Sequence, residues 1–268
     1  MCVAGQKSKL LVMGTKSIRN VNLRDREITI LVDGQLIRES KSEKLLGVVI
    51  NNEMTWKGHL YGDDVNKGLI SQLSQRLGLL KKIAKVCSKQ KLRMIASGLF
   101  YSKLNYCLPL FANVWGFEQY KDGGTRCQSL SKEDIRKLQV LQNQVARLLL
   151  DNSAEMNMST IELLQLTGDL SIHQIGALRT INMVKKILLT GKPTYLADRL
   201  ETSESRFTRT GVIIRQPHTS LGLVREGFIY RGSSLFNKLP HHLKHETNLK
   251  NFKKEAKKWV KENVAVKP

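Results

Sequence analysis

The sequence predicts an α+β fold: a small antiparallel β-sheet at the N-terminal end, then a mostly α-helical remainder that carries a short β-hairpin late in the chain. Three observations predict it. Short apolar runs flank an Asp33-Gly34 step among residues 9–50, and from Trp56 onward apolar residues recur at steps of three and four. After Thr247 an apolar face alternates with lysines at helical spacing. With 268 residues the chain is long enough for one large domain or two ordinary ones, each with its own core.

KLLVM (9–13) reads as a strand. EITILV and QLIRE flank Asp33 and Gly34, a hairpin signal because both central residues of the tight turn need positive φ. KLLGVVI (44–50) reads as the next strand, with Gly47 as a bulge. The period then turns helical: Ile70, Leu73, Leu77, Leu80 and Ile83 share one face, and the pattern extends back through Leu60 and Trp56. Ser88 caps a second helix with Leu92, Ile95, Leu99 and the stem of Lys103 on one side, and Pro109 limits its continuation. KDGGTRCQS (121–129) is a polar, Gly-rich break. Ser131 with Asp134 three residues on resembles a capping box and opens a helix with the seam Leu138, Leu141, Val145, Leu148 and Leu149.

A further helix covers residues 171–190, stopped by Gly191 and Pro193. Residues 201–222 hold turn formers with little periodicity and read as irregular or extended, and FIYRGSSLF (228–236) reads as one or two strands. The closing helix places Leu249, Phe252, Ala256, Trp259 and Val260 on one side. Lys250, Lys253, Lys254, Lys257, Lys258 and Lys261 lie largely elsewhere, which makes it a basic amphipathic helix. The organisation expected is four segments, 1–55, 56–120, 131–200 and 201–268.

Charge narrows the function. Lys and Arg number 44 against 23 Asp and Glu, a formal charge of +21, well above the magnitude of about 2–8 usual for a small soluble domain. A polyanionic partner is the economical explanation, with nucleic acid first because neutralised phosphates release counterions, and an anionic membrane surface second. No stretch approaches eighteen consecutive apolar residues, and MCVAGQKSKLLVMG lacks the pattern of a secretory signal. The expectation is an intracellular protein of nucleus or cytoplasm, not secreted and without a membrane partner. Cys2, Cys87, Cys107 and Cys127 form no CxxC and read as reduced, mostly buried thiols.

HLYGDDVNKGL (59–69) contains Tyr-Gly-Asp-Asp, the letters many polymerases use to hold two metal ions. Two-metal chemistry needs carboxylates around ions about 4 Å apart, and polymerases supply them from a tight hairpin between apolar strands plus another strand. Here the flanks TWKGHL and VNKGLI are mixed and polar, and Asp25 and Asp33 sit in turn contexts. Asp63 and Asp64 therefore read as solvated helix or turn residues. His241, His242 and His245 follow Pro240 with no Cys or acidic partner at ligand spacing, so no zinc site is expected. Trp56, Trp115 and Trp259 stand beside apolar residues and read as core rather than stacking platforms. No Ser-His-Asp order, phosphate loop or HExxH occurs.

Several stretches, taken in order, resemble the C-terminal part of reverse transcriptases from non-LTR retrotransposons, the LINE-type elements of the Jockey and chicken-repeat groups. KSKLLVMG is similar to the strand that leaves the palm after the catalytic aspartates. SEKLLGVVINNEMTWKGHL is similar to the primer-gripping hairpin, with its Leu-Gly turn and following Trp and His. GLFYSKLNYCLPLFANVWG resembles the thumb segment, and LQNQVARLLL the Gln-Asn-x-x-x-Arg helix after it. FIYRGSSLFNKLPHHLK resembles the terminal Tyr-Arg-Gly and Asn-x-Leu-Pro signature, with Phe236 where the family usually has Trp, and NLKNFKKEAKKW the closing helix. The resemblance spans nearly the whole chain. It implies a palm remnant, a thumb and a C-terminal region of an RNA-directed DNA polymerase.

The family's Tyr-x-Asp-Asp belongs upstream of KSKLLVMG, so the resemblance implies a truncated product that lacks the catalytic carboxylates, with YGDD falling inside the first thumb helix. Magnesium belongs to the complete enzyme and no cofactor to this chain; the partners implied are RNA or an RNA–DNA duplex and the upstream polymerase segment. Between Asp64 and Glu118 stand nine Lys or Arg and no acid. Arg76, Lys81, Lys82, Lys85, Lys89, Lys91 and Arg93 are the candidates for following a phosphate backbone, which needs only charge, reach and spacing. The resemblance makes Leu46 and Gly47 the primer-grip candidates, since Gly permits close backbone approach. Arg147 is a phosphate-contact or structural arginine. Two other functions compete: a basic helical interaction or scaffold protein with no nucleic-acid role, and an autonomous polymerase using Asp63 and Asp64.

Overall fold

The computed structural model describes residues 8–14, 27–111, 130–150, 158–203, 212–219, 224–225, 227–264 and 266. Cys2, Trp115, Cys127 and the KDGGTRCQS break lie outside them. The fold is α+β, with helices interrupted by two-stranded antiparallel ladders. The chain divides into two compact units, Met1–Ser74 and Gln75–Pro268, and the division falls inside one helix.

In the first unit, β1 (Thr29–Val32) and β2 (Gln35–Arg38) pair in the register Thr29↔Arg38 to Val32↔Gln35, closed by Asp33 at φ 50° and Gly34 at φ 71°. This is the expected Asp-Gly turn. The run KLLGVVI is not one bulged strand. It reverses into a second hairpin, β3 (Ser42–Leu45) with β4 (Val48–Asn51), because Leu46 (φ 48°) and Gly47 (φ 84°) take the same doubly positive geometry. The expected single sheet is thus two separate ladders. KLLVM contributes one parallel bridge, Leu10↔Glu39, with the Ser40 N–H donating to the Leu10 carbonyl at 2.8 Å.

A short helix, α1 (Lys57–Tyr61), packs on β4, where the Val49 N–H donates to His59 Nδ1 at 3.3 Å beside the fully buried Leu60. The helical pattern read backwards from Ile70 does not continue into it. Gly62, at φ 96°, ends α1, and α2 (Leu69–Ala84) begins only after residues 62–68. Ile37, Val48, Val49, Leu60, Leu69 and Leu73 form the buried apolar set of this unit among the described residues.

In the second unit, Leu77 and Leu80 continue the buried face of α2. Ser88 precedes α3 (Lys89–Ala96), which runs through a π-helical turn (Ser97–Tyr101) into α4 (Ser102–Asn105). The expected face Leu92, Ile95 and Leu99 is displaced: the buried stripe is Leu92, Ala96, Phe100 and Leu104. Steps of four drift about 40° each around an ordinary α-helix. The wide turn, where Ser102 N–H bonds back to Ser97 C=O, takes up that drift and keeps the stripe straight.

α5 (Leu108–Phe111) follows, and then α6 (Lys132–Leu150) with the capping box expected of Ser131 and Asp134: Ser131 N–H donates to Asp134 Oδ2 at 3.0 Å, and Asp134 N–H to Ser131 Oγ at 3.1 Å. α7 (Thr160–Thr167) is boxed by Ser159 and Glu162, and α8 (Ile172–Thr190) by Ser171 and Gln174. Gly191, left-handed, stops α8 as expected, and α9 (Thr194–Ala197) follows Pro193. Part of the segment read as extended forms a minimal antiparallel ladder, β5 (Thr202–Ser203) with β6 (Ile213–Ile214).

FIYRGSSLF is not a strand. It opens α10 (Phe228–Asn237), a helix buried from Arg231 through Phe236. A short run buried on several sides has no polar face, so its periodicity does not separate helix from strand. Gly232 lets this helix approach α8 closely: a Cβ at that position would lie 2.6 Å from Val184 Cγ2 on α8. After α11 (His241–His245), α12 (Leu249–Asn263) matches the expected amphipathic helix, with Phe252, Ala256 and Val260 buried and all six named lysines exposed. α8 is the central helix of this core, where Ala177, Ile181 and Val184 meet Leu235 and Phe236 of α10 and Phe252, Ala256 and Val260 of α12.

Candidate nucleic-acid interface

The YGDD letters form a structural loop. Tyr61 is the last residue of α1, and Gly62 N–H bonds back to Gly58 C=O at 2.9 Å. Asp63 then organises residues 62–68: its Oδ1 accepts from the backbone N–H groups of Val65 (3.1 Å) and Asn66 (2.6 Å), and its Oδ2 accepts from Ser42 Oγ at 2.7 Å. The Ser42 hydroxyl holds the Asp63 carboxyl below its ordinary value against the opposing effect of burial, and the two backbone donors add to it. A Gly62↔Lys67 bridge closes the loop. Asp64 is exposed, and no strand reversal or third carboxylate accompanies the pair among the described residues.

Leu46 and Gly47 form the tip of the β3–β4 hairpin. Leu46 is 83% exposed at a positive φ, an unfavourable place for a branched apolar side chain in both respects. Gly47 supplies the second positive φ at no steric cost.

The seven predicted cations divide into two kinds. Arg76 donates to the Leu99 carbonyl, and Arg93 Nη2 donates to the Thr167 carbonyl at 2.6 Å and to Asp169 Oδ1 at 3.2 Å, so both arginines tie helices together. Asp169 Oδ2 also accepts from the Tyr101 hydroxyl at 2.9 Å. Burial first, and then Asp169, push that phenol far above its ordinary range, so it serves as a neutral donor. Lys81, Lys82, Lys85, Lys89 and Lys91 stand exposed around the junction of α2 and α3. No acidic residue occurs from Val65 through Phe111.

Several motif residues prove to be fastenings. Gln142, fully buried, donates to the Leu170 carbonyl at 2.8 Å, and Asn143 donates to Thr160 Oγ1 at 2.8 Å. Arg147 donates to the Met158 carbonyl at 3.3 Å. The Gln-Asn-x-x-x-Arg pattern therefore fixes the starts of α7 and α8 from one side of α6. Asn237 pairs with both backbone groups of Ile214 at 2.9 Å, acting as a further strand beside β6. Phe236 is buried in the core.

His241 and His245 stack their rings 4.2 Å apart on the surface, and no group of three His, Cys, Asp or Glu gathers at a metal site among the described residues. Trp56 and Trp259 are half-buried, as are the free thiols of Cys87 and Cys107. No described helix is long and apolar enough to cross a membrane. Sequence reasoning passed over a second cationic cluster: Arg179 and Lys186 of α8, Lys253 and Lys257 of α12, and Arg93 border one cleft of about 820 Å³. The spacings within each helix were legible, but the meeting of two helices at one cleft is tertiary. Comparisons with protein-family models, curated proteins and solved structures return no match.

Proposed function

We propose that the chain is the thumb and C-terminal region of a reverse transcriptase of the non-LTR retrotransposon type, a part that binds template-primer nucleic acid and leaves catalysis to carboxylates elsewhere. The observation that carries the reading is the run of five exposed lysines, Lys81, Lys82, Lys85, Lys89 and Lys91, in a stretch without a single acid. Phosphate backbones demand charge without a defined side-chain geometry, and flexible lysines on a helix junction meet that demand. Leu46 and Gly47 support it independently, because a strained exposed apolar turn residue is held where a contact rewards it. The ordered motifs add the family.

A basic interaction or scaffold protein is the competing reading, favoured by Leu79, Val86 and Met94 standing exposed in the same stretch. One titration separates the two. If each of the five lysines neutralises one phosphate, the affinity for an RNA–DNA duplex falls with a log–log salt slope of about −4.5. Replacing Lys81, Lys82 and Lys85 with Gln lowers the slope magnitude by about 2.7 and leaves the circular dichroism unchanged. Absence of duplex binding at low salt overturns the proposal.

A further inference from the structure

The cleft between α8, α12 and the α3–α4 rod has the makings of a ligand site. Arg93, Ser97, Tyr101 and Asn105 line one wall at steps of four, the register the π-helical turn preserves. Such turns recur at functional sites because they realign side chains that an ordinary helix would fan out. Arg179, Asn182 and Lys186 come from α8, and Lys253 and Lys257 from α12. Leu170, Ile175, Leu178, Met183 and Leu249 add apolar surface.

Charge and hydrogen bonding are both left incomplete in this cleft. Five cations border it against one carboxylate, Asp169, whose two oxygens are already taken by Arg93 and Tyr101. Arg179, Lys186, Lys253 and Lys257 are exposed and make no ion pair among the described residues. Asn105 and Asn182 each bury Oδ1 without a partner. Buried polar atoms are paired in the great majority of cases, so two orphans on one cleft are informative. A carboxamide that nothing anchors turns about χ2 and offers either its oxygen or its NH2 to an occupant.

We propose that this cleft binds one nucleotide, its phosphate held by Arg179, Lys186, Lys253 and Lys257, its base lying on the apolar wall with its edge read by Asn105 and Asn182. The volume falls within the range of about 300–1,000 Å³ common to small-ligand sites. A flat apolar body, a hydrogen-bonding edge and an anion match the three kinds of lining, whereas a plain polyanion uses the cations alone. The nucleotide comes either from a single-stranded end of RNA or DNA or from the free pool. The site is separate from the five lysines of the α2–α3 junction and does not depend on their role.

The test uses the full chain, titrated by calorimetry with the four ribonucleoside monophosphates, a single-stranded oligonucleotide, ribose 5-phosphate, inorganic phosphate and inositol phosphate. A mononucleotide should bind at least about tenfold more tightly than ribose 5-phosphate, the size of one good base contact. Arg179→Gln with Lys257→Gln should weaken nucleotide binding by about tenfold or more. Asn105→Ala with Asn182→Ala should remove the advantage of the base and leave ribose 5-phosphate binding as it was. The Lys81, Lys82 and Lys85 to Gln variant should keep mononucleotide affinity even where duplex affinity drops, so the two sites fail separately. A large preference for the oligonucleotide, competed by mononucleotide, identifies a strand as the source; equal or tighter mononucleotide binding identifies the free pool. Absence of saturable nucleotide binding overturns the proposal, and so does affinity no greater than that for inositol phosphate or inorganic phosphate. Thermal melting of the variants at the unaltered temperature excludes misfolding as the cause.

Discussion

In the unit Met1–Ser74 two separate hairpins accompany a five-residue helix that packs on β4, while in Gln75–Pro268 long helices surround α8. The first unit buries Ile37 alone from the β1–β2 ladder and leaves Leu31 and Leu36 mostly exposed. Isolated two-stranded ladders are marginal in water. Polar ties therefore carry much of the local order, with Ser42 and Asp63 joining β3 to the loop and Val49 and His59 joining β4 to α1. The second unit has capping boxes at three helix starts and a contiguous apolar core. The difference teaches where each unit is vulnerable. The first depends on backbone geometry at a few loop positions, and the second on the fit between helices.

The largest expected effect comes from Gly68→Ala. A Cβ there would collide with backbone atoms of Tyr61, Gly62 and Leu60, none of which can swing aside. The cost is on the order of 3 kcal/mol, enough to open a unit with so small a core. Hydrogen exchange should show the amides of β3, β4 and α1 losing protection while α8 and α12 keep theirs. Equal loss in both units would mean that the first unit is not the more fragile of the two. Gly232→Ala is the counterpart in the second unit. The new methyl would meet Val184, fully buried and β-branched, so the α8–α10 contact must widen at a cost of about 1–3 kcal/mol. Chemical denaturation should register that loss as a lower midpoint with α6 and α7 still helical. An unchanged midpoint would mean that α10 is not held by close approach.

Local chemistry was legible in the sequence and assembly was not. Ser131 with Asp134, the span 171–190 and the Asp33-Gly34 turn could be read because each is decided within a few residues. The second hairpin was hidden by Leu46, a residue type that disfavours the positive φ it adopts, and only the resemblance pointed to a turn there. α10 was missed because a helix buried on several sides has no polar face to set its period. Among the site residues, the five lysines could be found by counting charge. Nothing local in Arg76 or Arg93 marks them as helix ties, since their acceptors, Leu99 and Thr167, are 23 and 74 residues away. The cleft was invisible for the same reason, as its cations come from helices far apart in sequence.

The smallest effect is also the most specific to the first unit. The Ser42 hydroxyl, with the Val65 and Asn66 amides, favours the ionised form of Asp63, so its folded-state value lies below the unfolded one of about 3.9. A depressed carboxylate contributes stability that is fully present above the unfolded value and is lost as pH falls through the folded value. Acidification below about pH 4 should therefore loosen residues 62–68 before the second unit responds. Two-dimensional NMR would report it as accelerated exchange of the Val65 and Asn66 amides, the groups that bond to Asp63. Asp63→Asn keeps an acceptor but removes the charge, and it should flatten this pH dependence at the outset. If the amides of the α6 start lose protection at the same pH, the loop is no more acid-sensitive than the helices, and the contrast between the two units fails.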